Sequence, residues 1–152
     1  MTAMPTIPLD LERGLDGLYE RDEVAWYDAM AALIGQGRTE ELDFANLKEI
    51  LEEMGKRFRR EVKSRLRILL AHWLKWEYQP NRRTGGWMAT LLTQRSDLKD
   101  DLTDSGALYN HAIKVYGEAY KQAVVLAATE TGLPPEAFPA TCPVTLDELL
   151  AE

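Results

Sequence analysis

Apolar residues recur along most of this chain at intervals of three and four, the spacing that gathers them on one face of an α-helix. After Asp22 the residues Val24, Trp26, Tyr27, Met30, Leu33 and Ile34 keep that period, and Gly35 and Gly37 supply a stop that tolerates a left-handed backbone. A longer segment opens with Asp43 as its cap and carries Leu47, Ile50, Leu51, Met54, Phe58, Val62, Leu66, Leu69, Trp73 and Trp76 in one stripe as far as Pro80. Gly55 interrupts this composition without shifting its phase, so the spacing predicts one continuous helix. Lys56, Arg60, Lys63 and Arg67 fall on the opposite side, where a charged stripe is expected to face water.

The stretch QPNRRTGG reads as a loop, and a third helix is expected from near Trp87 through Leu91, Leu98 and Leu102 to the break at Asp104, Ser105 and Gly106. Ser105 caps a fourth helix that runs through Leu108, Tyr116, Tyr120 and Ala127 to Gly132 and is apolar on two faces, which suits the middle of a bundle. The tail LPPEAFPATCPV has too many prolines for regular structure, and Thr145 with Glu148 then forms a capping box for a short last helix holding Leu146, Leu149 and Leu150. The expected fold is all-α: a four-helix core bundle with a wrapped proline-rich C-terminal segment and a short final helix. Residues 1–18 show no sustained period and read as a loosely ordered N-terminal arm, with residues 19–152 as a single helical domain.

Composition narrows the class. An apolar fraction of 45% beside 28% charged residues is that of a globular chain able to bury one core. Cys142 is the only cysteine, so the chain makes no internal disulfide. The opening MTAMPTIPLDLERG lacks the basic and apolar regions of a signal peptide, and no apolar run approaches the roughly 20 residues that span a bilayer. A cytoplasmic location is expected. The net charge of −7 is unevenly spread: residues 56–83 carry +8 and the remainder −15.

Two polar residues interrupt the apolar stripe of the long helix. Arg65 and His72 lie seven positions apart, nearly in line, with Trp76 one turn beyond. A buried guanidinium needs a counter-charge, and Asp22, in the Tyr19, Asp22, Trp26 set, is the expected partner. Tyr19, Asp22, Arg65, His72 and Trp76 therefore form a candidate buried polar network or pocket. Lys56, Arg60, Lys63 and Arg67, with Arg82 and Arg83 in the following loop, form a candidate phosphate-binding set, though no nucleic-acid-binding signature accompanies it. Asp100, Asp101, Asp104 and His111 could converge near the turn between the third and fourth helices, but read better as caps and solvated charge. No metal-binding motif, phosphate-binding glycine loop or nucleophile motif occurs, and Cys142 between Thr141 and Pro143 has no neighbouring base. No catalytic residue, metal or cofactor is assigned.

Several segments together resemble one family. YERDEVAW with Tyr19, Asp22 and Trp26, ANLKEILEEMG with Asn46 and Leu47, SRLRILLAHWLKWEYQP with Arg65, His72, Lys75, Trp76 and Pro80, then Trp87 and the closing TGLPPEAFPATCPVTLDELL are similar to the bacterial proteins catalogued as domain of unknown function 29. The resemblance covers about Tyr19 to Leu150 and implies an all-helical, intracellular protein; it brings no agreed activity, cofactor or catalytic residue. Val144 stands where the family pattern often has an aromatic. The function expected from the chain is that of a non-catalytic helical interaction protein binding a protein partner or a second copy of itself. The alternatives are a nucleic-acid-binding module using the basic stripe, and a small-ligand binder or enzyme centred on Arg65 and His72.

Overall fold

A computed structural model describes residues 14–151, and helices are the only regular elements among them. They are α1 (Leu18–Arg21), α2 (Glu23–Gly35), α3 (Phe44–Tyr78), α4 (Gly85–Asp104), α5 (Gly106–Thr131) and α6 (Leu146–Ala151), with single 3-10 turns at Thr39–Glu41, Pro80–Arg82 and Pro135–Ala137. The all-α expectation holds. No described helix is long and apolar enough to cross a membrane. Most of the expected N-terminal arm, residues 1–13, lies outside the described residues.

The helix ends follow their caps. Asp22 accepts a hydrogen bond from the Ala25 amide at 3.0 Å to open α2, Asp43 accepts from the Asn46 amide at 3.2 Å to open α3, and Ser105 accepts from the Leu108 amide at 3.2 Å to open α5. Thr145 and Glu148 exchange bonds of 2.9 and 3.2 Å as the capping box of α6. Gly132 stops α5 at φ +74°, a conformation that side-chain-bearing residues rarely adopt. One start differs from the spacing: α4 begins at Gly85, not near Trp87, because Thr84 accepts from the Trp87 amide at 3.1 Å and this cap outweighs the poor helix propensity of Gly85 and Gly86.

The chain divides into two compact units, the first ending at Met54 and the second beginning at Gly55. Helix α3 is continuous through that point. The core of the first unit is built from Leu18, Trp26, Ala29, Met30 and Leu33, with Tyr19 set edge-on to the Trp26 ring at 4.9 Å and Leu42, Leu47 and Ile50 packed at its margin. That of the second unit joins Leu66, Leu69, Leu70 and Leu74 of α3 with Leu91 and Leu98 of α4, Tyr120 of α5, Phe138, and Leu146 and Leu149 of α6. Helix α5 enters this core mainly through alanine: Ala112, Ala119, Ala123 and Ala127 are all wholly buried.

The proline-rich tail is held by tyrosines of α5. The Tyr120 hydroxyl donates to the Pro139 carbonyl at 2.6 Å and that of Tyr116 to the Val144 carbonyl at 2.9 Å. Arg95 of α4 donates to the Leu149 carbonyl at 2.9 Å. The two tyrosine bonds satisfy carbonyls that an irregular segment leaves without a helical partner, and the Arg95 bond satisfies one of the last carbonyls of α6.

Candidate functional site

The residues expected to form one polar network are used in separate places. Asp22 caps α2 and belongs to the first unit, as does Tyr19. Arg65 finds its counter-charges within the second unit: Glu61 one turn back on α3 at 2.9 Å, and Asp97 and Asp101 of α4 at 3.2 and 3.9 Å. The expected Asp22 to Arg65 pair therefore gives way to a cap on one side and a three-carboxylate cluster on the other. Arg65 is half-buried, so a guanidinium with several carboxylates along its rim satisfies the pairing requirement that suggested Asp22. The bond to Glu61 comes first among the effects that stabilise its charged form, burial opposing it.

His72 points Nδ1 at the Ile68 carbonyl, 3.0 Å away, in its own preceding turn. A carbonyl only accepts, so Nδ1 carries the proton and Nε2 is left as an acceptor. Burial lowers the His72 pKa, with the Ile68 bond opposing it and Lys75 adding to it. The ring is thus held neutral, a packed polar group more than a base aimed at a substrate.

A cluster absent from the sequence reading lies at the end of α3. Lys75 is 5% exposed, and its Nζ donates to Glu130 of α5 at 2.6 Å and lies 5.1 Å from the centre of the Trp87 ring. Arg83 stacks 4.6 Å over the Trp76 ring and donates from Nε to the Trp76 carbonyl at 2.9 Å. Both cations gain from a ring face, and Lys75 also needs its carboxylate because water does not reach it freely. Trp73 Nε1 and Gln94 Oε1 are buried with no hydrogen-bond partner among the described residues.

The basic stripe divides. Lys56 and Arg60 are exposed, but Lys63 and Arg67 are half-buried, and Lys63 is bonded to Glu118 of α5 at 2.8 Å. The expectation that all four face water fails at Lys63 and Arg67, because the neighbouring elements of the second unit partly cover that end of the stripe. Arg82 and Arg83 are exposed, with Arg83 committed to Trp76. Among the described residues no group of three or more His, Cys, Asp or Glu stands together as a metal site, so Asp100, Asp101, Asp104 and His111 do not converge as one. Cys142 is half-buried, 3.3 Å from the Tyr116 hydroxyl.

The most exposed apolar surface described in the first unit lies on α2 and the start of α3. Helix α2 carries charge only at Glu23 and Asp28, and both of its sides are apolar. One side is the core. The other presents Val24, Tyr27 and Ile34 to water, Val24 at 67% and Ile34 at 56% exposure, with Ala31 between them. On α3, Phe44 and Leu51 are exposed at 64% and 70%, and Met54 also reaches solvent. Asp43 ties the two helices together: it accepts from Trp26 Nε1 at 3.1 Å and from the Asn46 side chain at 2.7 Å, and its amide lies 3.4 Å from the Met30 sulfur. Burial raises the Asp43 pKa, but the bonds from Asn46 and Trp26 outweigh it and keep the carboxyl ionised below its usual range.

Comparison with known families decides the relationship. Residues 18–152 match the family model described as "Domain of unknown function DUF29". The chain belongs to this family. No curated protein matches the chain, and no solved structure does. Membership in DUF29 spans both units, so the capped helices, the Arg65 cluster, the Lys75 to Glu130 pair and the clasped tail all lie within the family's domain. No function comes with that membership.

Proposed function

We propose that this DUF29 chain is a non-catalytic helical interaction protein that binds a protein partner through the apolar face of its first unit. The observation that carries the proposal is α2, a helix apolar on both sides with only one side covered. Scattered apolar residues are ordinary on a surface, but a contiguous row of large ones costs free energy in water and marks a docking face. The side chains suit that role, since Tyr27, Phe44, Leu51 and Met54 are the aromatic and adaptable types that anchor interfaces. The phosphate-binding alternative has weaker support, because Lys63 is paired with Glu118 and Arg83 is stacked on Trp76. The polar residues once grouped with Arg65 and His72 are best read as structural. A cytoplasmic setting belongs to the same proposal and fits a chain whose cysteine is free.

The test is affinity purification of the tagged full-length chain from its own host, in parallel with a Val24→Glu, Leu51→Glu variant of matched helical content. A protein recovered with the parent and lost with the variant supports the reading. Equal recovery of the same proteins with both overturns it.

A further inference from the structure

From two unpartnered polar atoms in the core of the second unit, we infer that α3 and α4 form between them a site for one internal water molecule, which accepts a hydrogen bond from Trp73 Nε1 and donates one to Gln94 Oε1.

The first support is the accounting of polar groups. Trp73 is only 6% exposed, and its indole nitrogen and the Gln94 amide oxygen are both shut off from solvent with no hydrogen-bond partner among the described residues. An indole N–H only donates and an amide oxygen only accepts, so the two needs are opposite. Two such groups left unmet in an apolar core would forfeit a sizeable share of the stability of a domain.

The second is placement. Arg65 of α3 faces Asp97 and Asp101 of α4, whereas Lys75, ten positions further along α3, faces Trp87, at least ten positions earlier on α4. The two helices therefore run antiparallel in a constant register. Trp73 lies eight positions beyond Arg65, which sets it level with positions 89–93 of α4, next to Gln94. Side chains on a helix lean toward its N-terminus, so Trp73 reaches back along α3 and Gln94 back along α4, each toward the level of the other. The rotation agrees. Trp87, Gln94 and Asp101 are seven positions apart and share one line along α4. The outer two face α3, and Gln94 lies midway between them. Leu91 and Leu98, one turn to either side of Gln94, belong to the same core as Trp73.

The third is fit. Neither atom bonds the other, so the gap between them is wider than a direct hydrogen bond. One water spans such a gap with a bond at each end, and these two ends meet the lower limit of the about two to four partners that buried waters take. An apolar hole would stay dry; a donor set opposite an acceptor does not. The bridge joins α3 to α4 between the Arg65 cluster on one side and Lys75 with Trp87 on the other, so polar contacts fix the register of this helix pair at three levels.

Nuclear magnetic resonance of the isotope-labelled full-length chain tests the inference, with the Trp73 indole proton assigned through its own backbone and distinguished from those of Trp26, Trp76 and Trp87. A cross-peak from that proton to water is expected, with opposite signs in the laboratory-frame and rotating-frame Overhauser experiments, as contact with a long-lived water gives and proton exchange does not. Gln94→Leu should abolish the peak, because the water loses its acceptor, while an unchanged Trp26 indole resonance and circular dichroism show that the chain is folded. A parent chain without the water peak overturns the inference, and so does a coupling across a direct hydrogen bond from Trp73 Nε1 to Gln94 Oε1. A peak that survives in folded Gln94→Leu refutes the part given to Gln94. Should Gln94→Leu fail to fold, the parent decides alone: water in contact with the Trp73 indole proton but not with the Gln94 side-chain amide protons refutes the bridge.

Discussion

Removing the charge of Glu130 should cost far more stability than removing that of Lys75, although the two form one ion pair. Lys75 is 5% exposed and bonded to Glu130 at 2.6 Å, so in Glu130→Gln an ammonium stays buried with a neutral amide for company. Breaking a fully buried pair from one side costs about 3–5 kcal/mol; the Glu130 side chain is 40% exposed, so water offsets part of this and about 2 kcal/mol is expected. That loss corresponds to a fall of roughly 4–8 °C in Tm for a domain of this size. Lys75→Met removes the buried charge, keeps an unbranched stem against Trp87 and leaves Glu130 reachable by water. It should stay within about 1 kcal/mol of the parent, the lost cation–π contact being its main penalty. Urea unfolding followed by far-ultraviolet circular dichroism measures both variants. The reasoning is refuted if Glu130→Gln is indistinguishable from the parent, or if Lys75→Met is the more destabilised of the two.

Asp43 caps α3 and accepts from Trp26, whereas Asp22 caps α2 alone, so Asp43→Ala should lose about 2 kcal/mol and Asp22→Ala about 1 kcal/mol; equal losses in urea unfolding would show that the Trp26 bond contributes nothing. Gly132→Ala forces a side chain into the left-handed region at φ +74° and should cost about 1 kcal/mol, even though a methyl group there meets no atom within 4 Å. The His72 pKa is held below its ordinary value by burial, so on acidification the unfolded chain takes up the proton first. The contribution of His72 is therefore whole above about pH 6.5 and declines below it. His111, shifted the same way by burial, remains in a His72→Gln variant, so the urea midpoint of the parent should drop more than that of the variant between about pH 7 and 5, and parallel profiles would contradict this.

Local chemistry was the legible part of this chain. Asp22, Asp43, Ser105, Thr145 with Glu148, and Gly132 each act within a few residues, so their helix ends could be read without knowing any neighbour. Thr84 is followed by two glycines that resemble a loop in sequence, and only its cap bond to the Trp87 amide shows that a helix begins there. Partners distant in sequence were not legible. Lys75 and Glu130 are 55 positions apart, and nothing in either segment points to the other. The place of Arg65 on the stripe calls for an acidic or carbonyl partner, but Asp97 and Asp101 can be chosen over Asp22 only once α4 is seen beside α3. The exposed row on α2 is not separable in sequence: the helix has apolar residues on two sides, so its period alone does not distinguish the covered side of Trp26, Met30 and Leu33 from the exposed side of Val24, Tyr27 and Ile34.

The buried alanines of α5 set the direction in which this protein tolerates change. A methyl side chain has no rotamers to freeze, so Ala112, Ala119, Ala123 and Ala127 order the centre of the second unit without the entropy loss that leucines would incur there. They also leave almost nothing to delete. Sequence drift at these four positions can only add volume, and the neighbouring helices, already in contact with the α5 backbone face, have no slack to receive it. Substitution there is consequently one-sided: glycine and serine enter at modest cost, branched residues wedge the helices apart, and a library randomised at these sites should return almost exclusively small side chains.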